Sequence, residues 1–279
     1  MLSTGMPELP EVETVRRTLA PALGARIGAA WDSGKGLHMG RKPPRKRLHE
    51  LVGHAITKLR RHGKYLLIDT DGPRTLLVHL GMTGRVLVTA KSAPRAKHTH
   101  VVLDLGDREL RFVDARRFGQ IDVVDRANER KHAGLAILGP DPLVDGFDGA
   151  YLFEQSRART TSLKAFVLDQ SVVAGVGNIY ASEALWRAKL RPTRRAKRLT
   201  AAAANTLAAA IHEVFDRALK NHGTSLRDFV AADGAEGQNA DYLWVYDRTG
   251  EPCPRCKTKI RRTVLQGRAT YYCPTCQTP

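Results

Sequence analysis

Apolar residues recur at two different periods along this chain, and the change of period divides it. Near the start Val12, Val15 and Leu19 fall at helical spacing behind Pro10, with Glu11 and Glu13 at the positive end of the helix they predict, and Pro21 and Gly24 end it. A basic, proline-containing stretch around Arg41 to Arg47 follows. Seven short β-rich runs come next, at residues 55–61, 64–70, 74–80, 85–89, 100–105, 109–113 and 120–124. Short strands at that spacing predict a sandwich or barrel. Gly139-Pro140-Asp141-Pro142 then punctuates the chain, and helical periodicity takes over: 151–156, 163–168, 179–188 and the alanine-rich 201–219, closed by Asn221 to Gly223. The segment 232–241 is small, polar and glycine-containing, which predicts a mobile loop. Strand character returns at 259–265 and 269–272 around a Gln266-Gly267 turn.

A length of 279 residues suits two domains, each able to bury a core, with the boundary at the Gly-Pro punctuation. Lysine and arginine number 45 against 28 acidic residues, a net charge of +17 spread over both halves, which points to a broad polyanion-binding surface. No segment approaches the roughly 18 continuous apolar residues of a membrane span, and Met1 to Gly5 is too short for a signal peptide. A cytosolic protein is expected. All 4 cysteines lie in the last 27 residues, the wrong distribution for a disulfide-stapled secreted domain.

A metal site is the natural alternative. Cys253-Pro254-Arg255-Cys256 and Cys273-Pro274-Thr275-Cys276 are two C-x2-C knuckles separated by 16 residues, the spacing of a four-thiolate zinc site. Four protein ligands leave no open position for water, so the zinc is expected to be structural and to hold a hairpin too small for its own core. A redox-active C-x2-C pair would need a βαβ context, and none is evident. Lys257, Lys259, Arg261, Arg262 and Arg268 decorate the hairpin and suggest that it grips phosphates.

Gly175-Val176-Gly177-Asn178 precedes a helix, with Asn178 placed as its N-cap and free backbone amides able to bind an anion. Tyr180 stands where a dinucleotide fold needs its third glycine. In a basic helical domain a DNA phosphate is the expected anion; a plain interhelical turn is the alternative.

Residues 7–17, PELPEVETVRR, resemble the start of the formamidopyrimidine-DNA glycosylases. The resemblance continues through RRHGKYLL (60–67), HLGMTG (79–84), DARRFG (114–119), LGPDPL (138–143), GVGNIYASEAL (175–185), and YDRTGEPCPRC and GRATYYC around the zinc site. It implies an α+β fold of two domains: an N-terminal β-sandwich with an N-terminal helix, and a C-terminal helix-two-turns-helix domain carrying a zinc β-ribbon. On this sequence the parts fall at 7–138, a linker at 139–150, 151–240, and 241–279 for the finger. The implied activity is base-excision repair of double-stranded DNA, removing oxidised purines such as 8-oxoguanine and formamidopyrimidines, with cleavage at abasic sites by β,δ-elimination. One protein on one lesion suggests a monomer.

The resemblance also implies the site. The amine of Pro7 would attack C1′ of the damaged nucleoside and form a Schiff base. A secondary amine suits this, because its iminium carries charge without a proton, and a free α-amine titrates near roughly 7.7 to 8 where lysine is mostly protonated. Glu8 would transfer protons, its pKa helped by nearby positive charge. Lys64 would lie near the lesion phosphate. Met82, Arg116 and Phe118 would fill the gap left by the extruded nucleotide and contact the orphaned base. Asn178 and Arg268 would bind phosphates beside it.

Three departures qualify this. Pro7 follows Met1-Leu2-Ser3-Thr4-Gly5-Met6, and a peptide-bonded proline nitrogen cannot be a nucleophile, so translation is expected to begin at Met6 with that methionine removed. Ala115 stands where a proline often precedes this Arg-Arg-Phe, which loosens the loop. Gly237-Gln238-Asn239-Ala240 lacks the aromatic residue of some relatives, which keeps open oxidised pyrimidines, the substrates of the endonuclease VIII branch. A noncatalytic binder of damaged DNA on the same scaffold, and a generic zinc-ribbon RNA-binding or transcription module, are the readings from other classes.

Overall fold

The computed structural model describes residues 6–225 and 229–278, so Met1 to Gly5, on which the expected start site bears, lie outside the described residues. Helix α1 (Leu9–Thr18) is fixed by a reciprocal capping box between Glu8 and Glu11, by Pro10 in its first turn, and by Arg16 and Arg17 in its last. It stops at Thr18, before the proline expected to end it; Pro21 sits in a separate single turn, Ala20–Ala22. Leu9, Val12, Val15 and Leu19 are buried along one stripe.

Two four-stranded antiparallel sheets follow. One has the order β1 (Ala29–Asp32), β6 (Thr99–Asp104), β7 (Arg108–Asp114), β5 (Gly84–Ala90). The other runs β2 (Ile56–His62), β3 (Tyr65–Thr70), β4 (Arg74–His79), β8 (Gln120–Asp125). Their inner faces and α1 share one core, built from Val12, Val15, Ile68, Val78, Val101 and Phe112 among others. The outer face of the second sheet is covered as well, since Leu67, Leu77 and Val124 pack against Leu135 of the short helix α3 (Ala133–Ala136). Three elements escape the hydrophobic pattern. Edge strand β1 alternates only between exposed and half-buried positions, α2 (Arg45–His49) buries Leu48 alone, and α3 is a single turn.

The second half is helical: α4 (Gly149–Ser156), α5 (Leu163–Leu168), α6 (Asn178–Arg187) and α7 (Ala201–Lys220), with Asp148, Ser162 and Thr200 each accepting a backbone N–H as N-caps of α4, α5 and α7. The chain ends in the hairpin of β9 (Arg261–Leu265) and β10 (Arg268–Tyr272). Its two-residue turn has positive φ at both Gln266 and Gly267, the geometry that matches strand twist.

The halves exchange residues at their boundary. Leu9 packs into the helical core, while Phe229 and Ala232 pack into the core of the sheets. Buried Arg61 of β2 bonds Glu13 of α1 at 3.2 Å and Asp141 of the punctuating segment, and Asp141 also accepts the Gly63 N–H at 2.7 Å. The loop expected to be mobile is held at both ends: Ala232 accepts from Val88 and donates to Thr18, and Asn239 donates to Gly223. No helix among the described residues is long and apolar enough to cross a membrane.

Candidate active site and nucleic-acid cleft

The residue that organises the site is Glu8. As the N-cap of α1 it sits next to Pro7, and α1 is laid against the start of α6 so that the Glu8 carboxylate accepts the N–H groups of Gly177, Ile179 and Tyr180 at 2.7, 2.8 and 3.2 Å. Those are the amides expected to hold a DNA phosphate. An internal carboxylate occupies the position instead, because Leu9 and Glu8 pack directly against this turn. The two glycines exist for that approach: a Cβ on Gly175 would lie 2.5 Å from that of Leu9, and one on Gly177 would lie 2.4 Å from Cδ of Glu8. Gly177 is the N-cap and Asn178 the first helical residue, one position on from the expected assignment. Freed from capping, Asn178 turns into the cleft, its Oδ1 buried and without a hydrogen-bond partner.

Above Glu8 opens a cleft of about 1030 Å³ between the two halves. Its walls bring together Glu8, Lys64, Met82, Asn178 and Arg268, residues drawn from α1, the β2–β3 turn, the β4–β5 turn, α6 and β10. Pro7 is buried between Met6 and Glu8, which both line the cleft. Burial dominates the electrostatics. It pushes the Glu8 carboxyl up to about 7, against the Lys64 charge and amide hydrogen bonds that pull it down. Positive charge was the expected influence, but it is outweighed by desolvation. Burial likewise lowers Lys64, opposed by Glu8 and reinforced by Arg268.

Arg116 and Phe118 lie outside the cleft lining, on the exposed turn between β7 and β8, with the guanidinium 4.8 Å from the ring centroid. Phe118 is 44% exposed, high for a ring of that size. The turn is joined to the Met82 turn: Thr83 donates to Asp114 and accepts the Arg116 N–H, and Gly119 N–H donates to Asp114. A Cβ on Gly81 would lie 2.5 Å from Phe118, so the turns touch backbone to backbone. Met82, Arg116 and Phe118 thus stand on two turns held as one unit.

Cys253, Cys256, Cys273 and Cys276 converge with their sulfurs all within 4.8 Å of one another. Two of the separations are 3.9 and 3.4 Å, bracketing the roughly 3.8 Å edge of a tetrahedron with Zn–S bonds of about 2.3 Å. The donor set therefore fits one structural zinc. Arg268 rides on the hairpin that this metal braces.

Several site residues were not singled out from the sequence. Glu11, read as a helix-dipole carboxylate, is buried and accepts from Tyr180 Oη at 2.5 Å and Thr224 N–H at 2.7 Å, tying α1 to α6 and to the loop after α7. Lys164 is wholly buried, donates to Ser182 Oγ and the Ala269 carbonyl, and is pushed down to about 7 by burial. The Tyr65 and His79 rings meet at a tilt of 54° with centroids 4.8 Å apart on the cleft wall. Glu183 of α6 accepts the N–H groups of Trp244, Val245 and Tyr246, which sets the finger on the helix. Glu11, Tyr65, His79 and Glu183 fall inside matched motifs, which was a usable signal; Lys164 lies in none of them.

Comparison with known proteins gives a consistent result. Residues 6–121 match the formamidopyrimidine-DNA glycosylase N-terminal domain, 138–230 the formamidopyrimidine-DNA glycosylase H2TH domain, and 250–279 the zinc finger found in FPG and IleRS. The chain is 47% identical over 275 residues to the formamidopyrimidine-DNA glycosylase of Methylococcus capsulatus, covering 98% of this chain and 100% of that one. It is similar to a Lactococcus lactis FPG mutant solved with a Fapy-dG containing DNA, with a TM-score of 0.90 at 34% identity. A second Lactococcus lactis Fpg complex, with abasic-site DNA, superposes with a TM-score of 0.89 at 34% identity. Each structural match covers 98% of this chain and 100% of the other.

Proposed function

The chain belongs to the formamidopyrimidine-DNA glycosylase family, and from that premise we propose that it excises oxidised purines from double-stranded DNA through the amine of Pro7. The observation that carries this reading is Glu8: a carboxyl next to that proline, buried beneath a basic cleft and brought to a pKa of about 7, where it can both give and take a proton.

In this chemistry the Pro7 nitrogen, freed from the residues before it, forms a bond to C1′ as the glycosidic bond breaks and the base departs with the bonding pair. The nitrogen loses its proton, Glu8 protonates the sugar ring oxygen as the C1′–O4′ bond opens, and an iminium remains. Loss of a C2′ proton expels the 3′ phosphate, and a second elimination expels the 5′ phosphate. Lys64, Asn178 and Arg268 hold the phosphates around the extruded nucleotide. Met82, Arg116 and Phe118 fill the space it leaves. The zinc braces the hairpin carrying Arg268 and takes no part in the chemistry. The parts at 7–138, 139–150, 151–240 and 241–279 serve as sheet domain, linker, helical domain and finger, in a cytoplasmic monomer.

Borohydride trapping tests the reading. Protein whose amino terminus is shown by mass spectrometry to be Pro7 should form a covalent adduct with an 8-oxoguanine duplex and release the free base, and should do so less well with thymine glycol. Tight binding with neither adduct nor base release would replace the enzyme by a noncatalytic binder.

A further inference from the structure

Between Glu183 and Glu213 the chain contains no acidic residue, yet the connection from α6 to α7 carries Arg191, Arg194, Arg195, Lys197 and Arg198. Arg191 has a structural task, since it donates to the Gln277 and Pro274 carbonyls and lies over the Tyr272 ring, fastening the second zinc knuckle. The others have none of comparable weight. Arg195 and Arg194 each donate to one backbone carbonyl, of Thr160 and Arg198 respectively, and none of the four forms a salt bridge among the described residues. Thr193, Arg194, Arg195 and Arg198 enclose a recess of about 440 Å³ with no carboxylate in its wall. Three guanidinium groups and a hydroxyl that line one open recess without a counter-ion suit an anion, and the planar guanidinium geometry matches phosphate oxygens.

The recess adjoins the cleft. The connection is laid along residues 159–164: Ala196 N–H donates to the Thr161 carbonyl, Lys197 N–H to that of Arg159, and Leu163 N–H to that of Arg194. Arg159 and Thr161 themselves line the cleft. A duplex leaving the cleft over these two residues therefore meets the recess next, on the same rim.

Resting on the DNA-repair reading above, we propose that the recess formed by Thr193, Arg194, Arg195 and Arg198 binds a backbone phosphate of the undamaged duplex arm flanking the lesion. It lengthens the footprint on one side only, because the cations are confined to the rim beside Arg159 and Thr161. The contact is to phosphate, so it adds affinity and salt dependence without base preference and lies outside the chemical step.

The test uses full-length zinc-loaded protein, wild type and R195Q/R198Q, with lesion duplexes whose two arms are lengthened one base pair at a time on either side. Wild-type affinity should rise in a step when one particular arm reaches the recess, and the step should be absent from the double variant. On duplexes beyond that length the slope of log affinity against log salt should be shallower in the variant by about 0.9, so a fourfold rise in salt costs it about 3.5-fold less affinity than it costs the wild type. R195K/R198K, which keeps the charge, should retain most of the salt slope. Single-turnover base release at saturating short duplex should be equal in wild type and R195Q/R198Q. Identical slopes and arm-length profiles in wild type and R195Q/R198Q would overturn the proposal, including the case in which the recess serves an RNA or an acidic protein. A step that is present and variant-sensitive while wild type releases no base would support the recess and overturn the glycosylase reading instead.

Discussion

The Glu8 carboxylate accepts the Gly177 N–H at 2.7 Å across 169 residues of sequence, so the residue beside Pro7, the proposed nucleophile, also caps the helix that presents Asn178. The placements of Pro7 and Asn178 are thereby set by one contact. Gly177→Ala would place a methyl 2.4 Å from Cδ of Glu8 and force α1 and α6 apart. Overpacking of this kind costs about 1–3 kcal/mol. Thermal unfolding should show that modest loss, while single-turnover Schiff-base formation, trapped with borohydride, should fall by about 100-fold or more, the scale set by a misplaced proton-transfer group. A variant with wild-type adduct formation would separate Glu8 from the chemistry.

The pKa of about 7 at Glu8 gives Schiff-base formation a pH dependence with a definite sign. Burial raises the group, so its protonated form, which serves the ring-opening step, is lost as pH rises through 7. The free Pro7 amine is needed unprotonated and titrates near roughly 8. Schiff-base formation, read as the borohydride-trapped adduct, should therefore peak close to neutrality and decline above it, and Glu8→Gln should lose about 10²- to 10⁴-fold along with the alkaline limb. A wild-type rate still climbing beyond pH 8.5 would assign the proton transfer elsewhere.

Legibility followed the range of the interactions. The seven main strands of the sheets, α4 to α7 and the zinc knuckles are written in local periodicity and spacing, and each is found within a few residues of its expected bounds. Strand β1 was not legible, because Ala29-Ala30-Trp31-Asp32 is held by pairing with β6 rather than by its own alternation. The amides after Gly175, expected to hold a DNA phosphate, are taken by Glu8 instead, and nothing near position 177 records what packs there from the other end of the chain. The contacts of Lys164 and Glu183 were silent for the same reason: each looks like a surface residue on its own helix until the finger is set against it.

Arg61 bonds both Glu13 and Asp141 with almost no solvent access, joining α1, β2 and the interdomain segment. Asp141→Ala would leave the guanidinium with Glu13 as its one carboxylate and the Gly63 N–H unpaired. Removing one member of a buried ion pair costs about 3–5 kcal/mol. Asp141→Ala should fall in that range by denaturant titration, whereas Arg60→Ala, at a partly exposed cluster with Asp69 and Glu129, should cost less. Equal losses would mean that solvent reaches the Arg61 cluster.

Zinc removal should separate grip from chemistry. The hairpin buries too little to fold alone, so chelation releases β9 and β10 and with them Arg268 and the carbonyl of Ala269 that holds Lys164. Metal-free protein should lose lesion binding with one zinc released per chain, measured by a colorimetric chelator, while the sheet domain keeps its β-sheet circular dichroism. Cys256→Ser should do the same. The effect has a pH sign as well: thiols must be deprotonated to bind the metal, so zinc affinity should fall as the pH is lowered, and lesion binding with it. Restoring zinc should restore binding. If metal-free protein binds the lesion duplex as tightly as the loaded form, Arg268 is not a phosphate contact and the finger has another use.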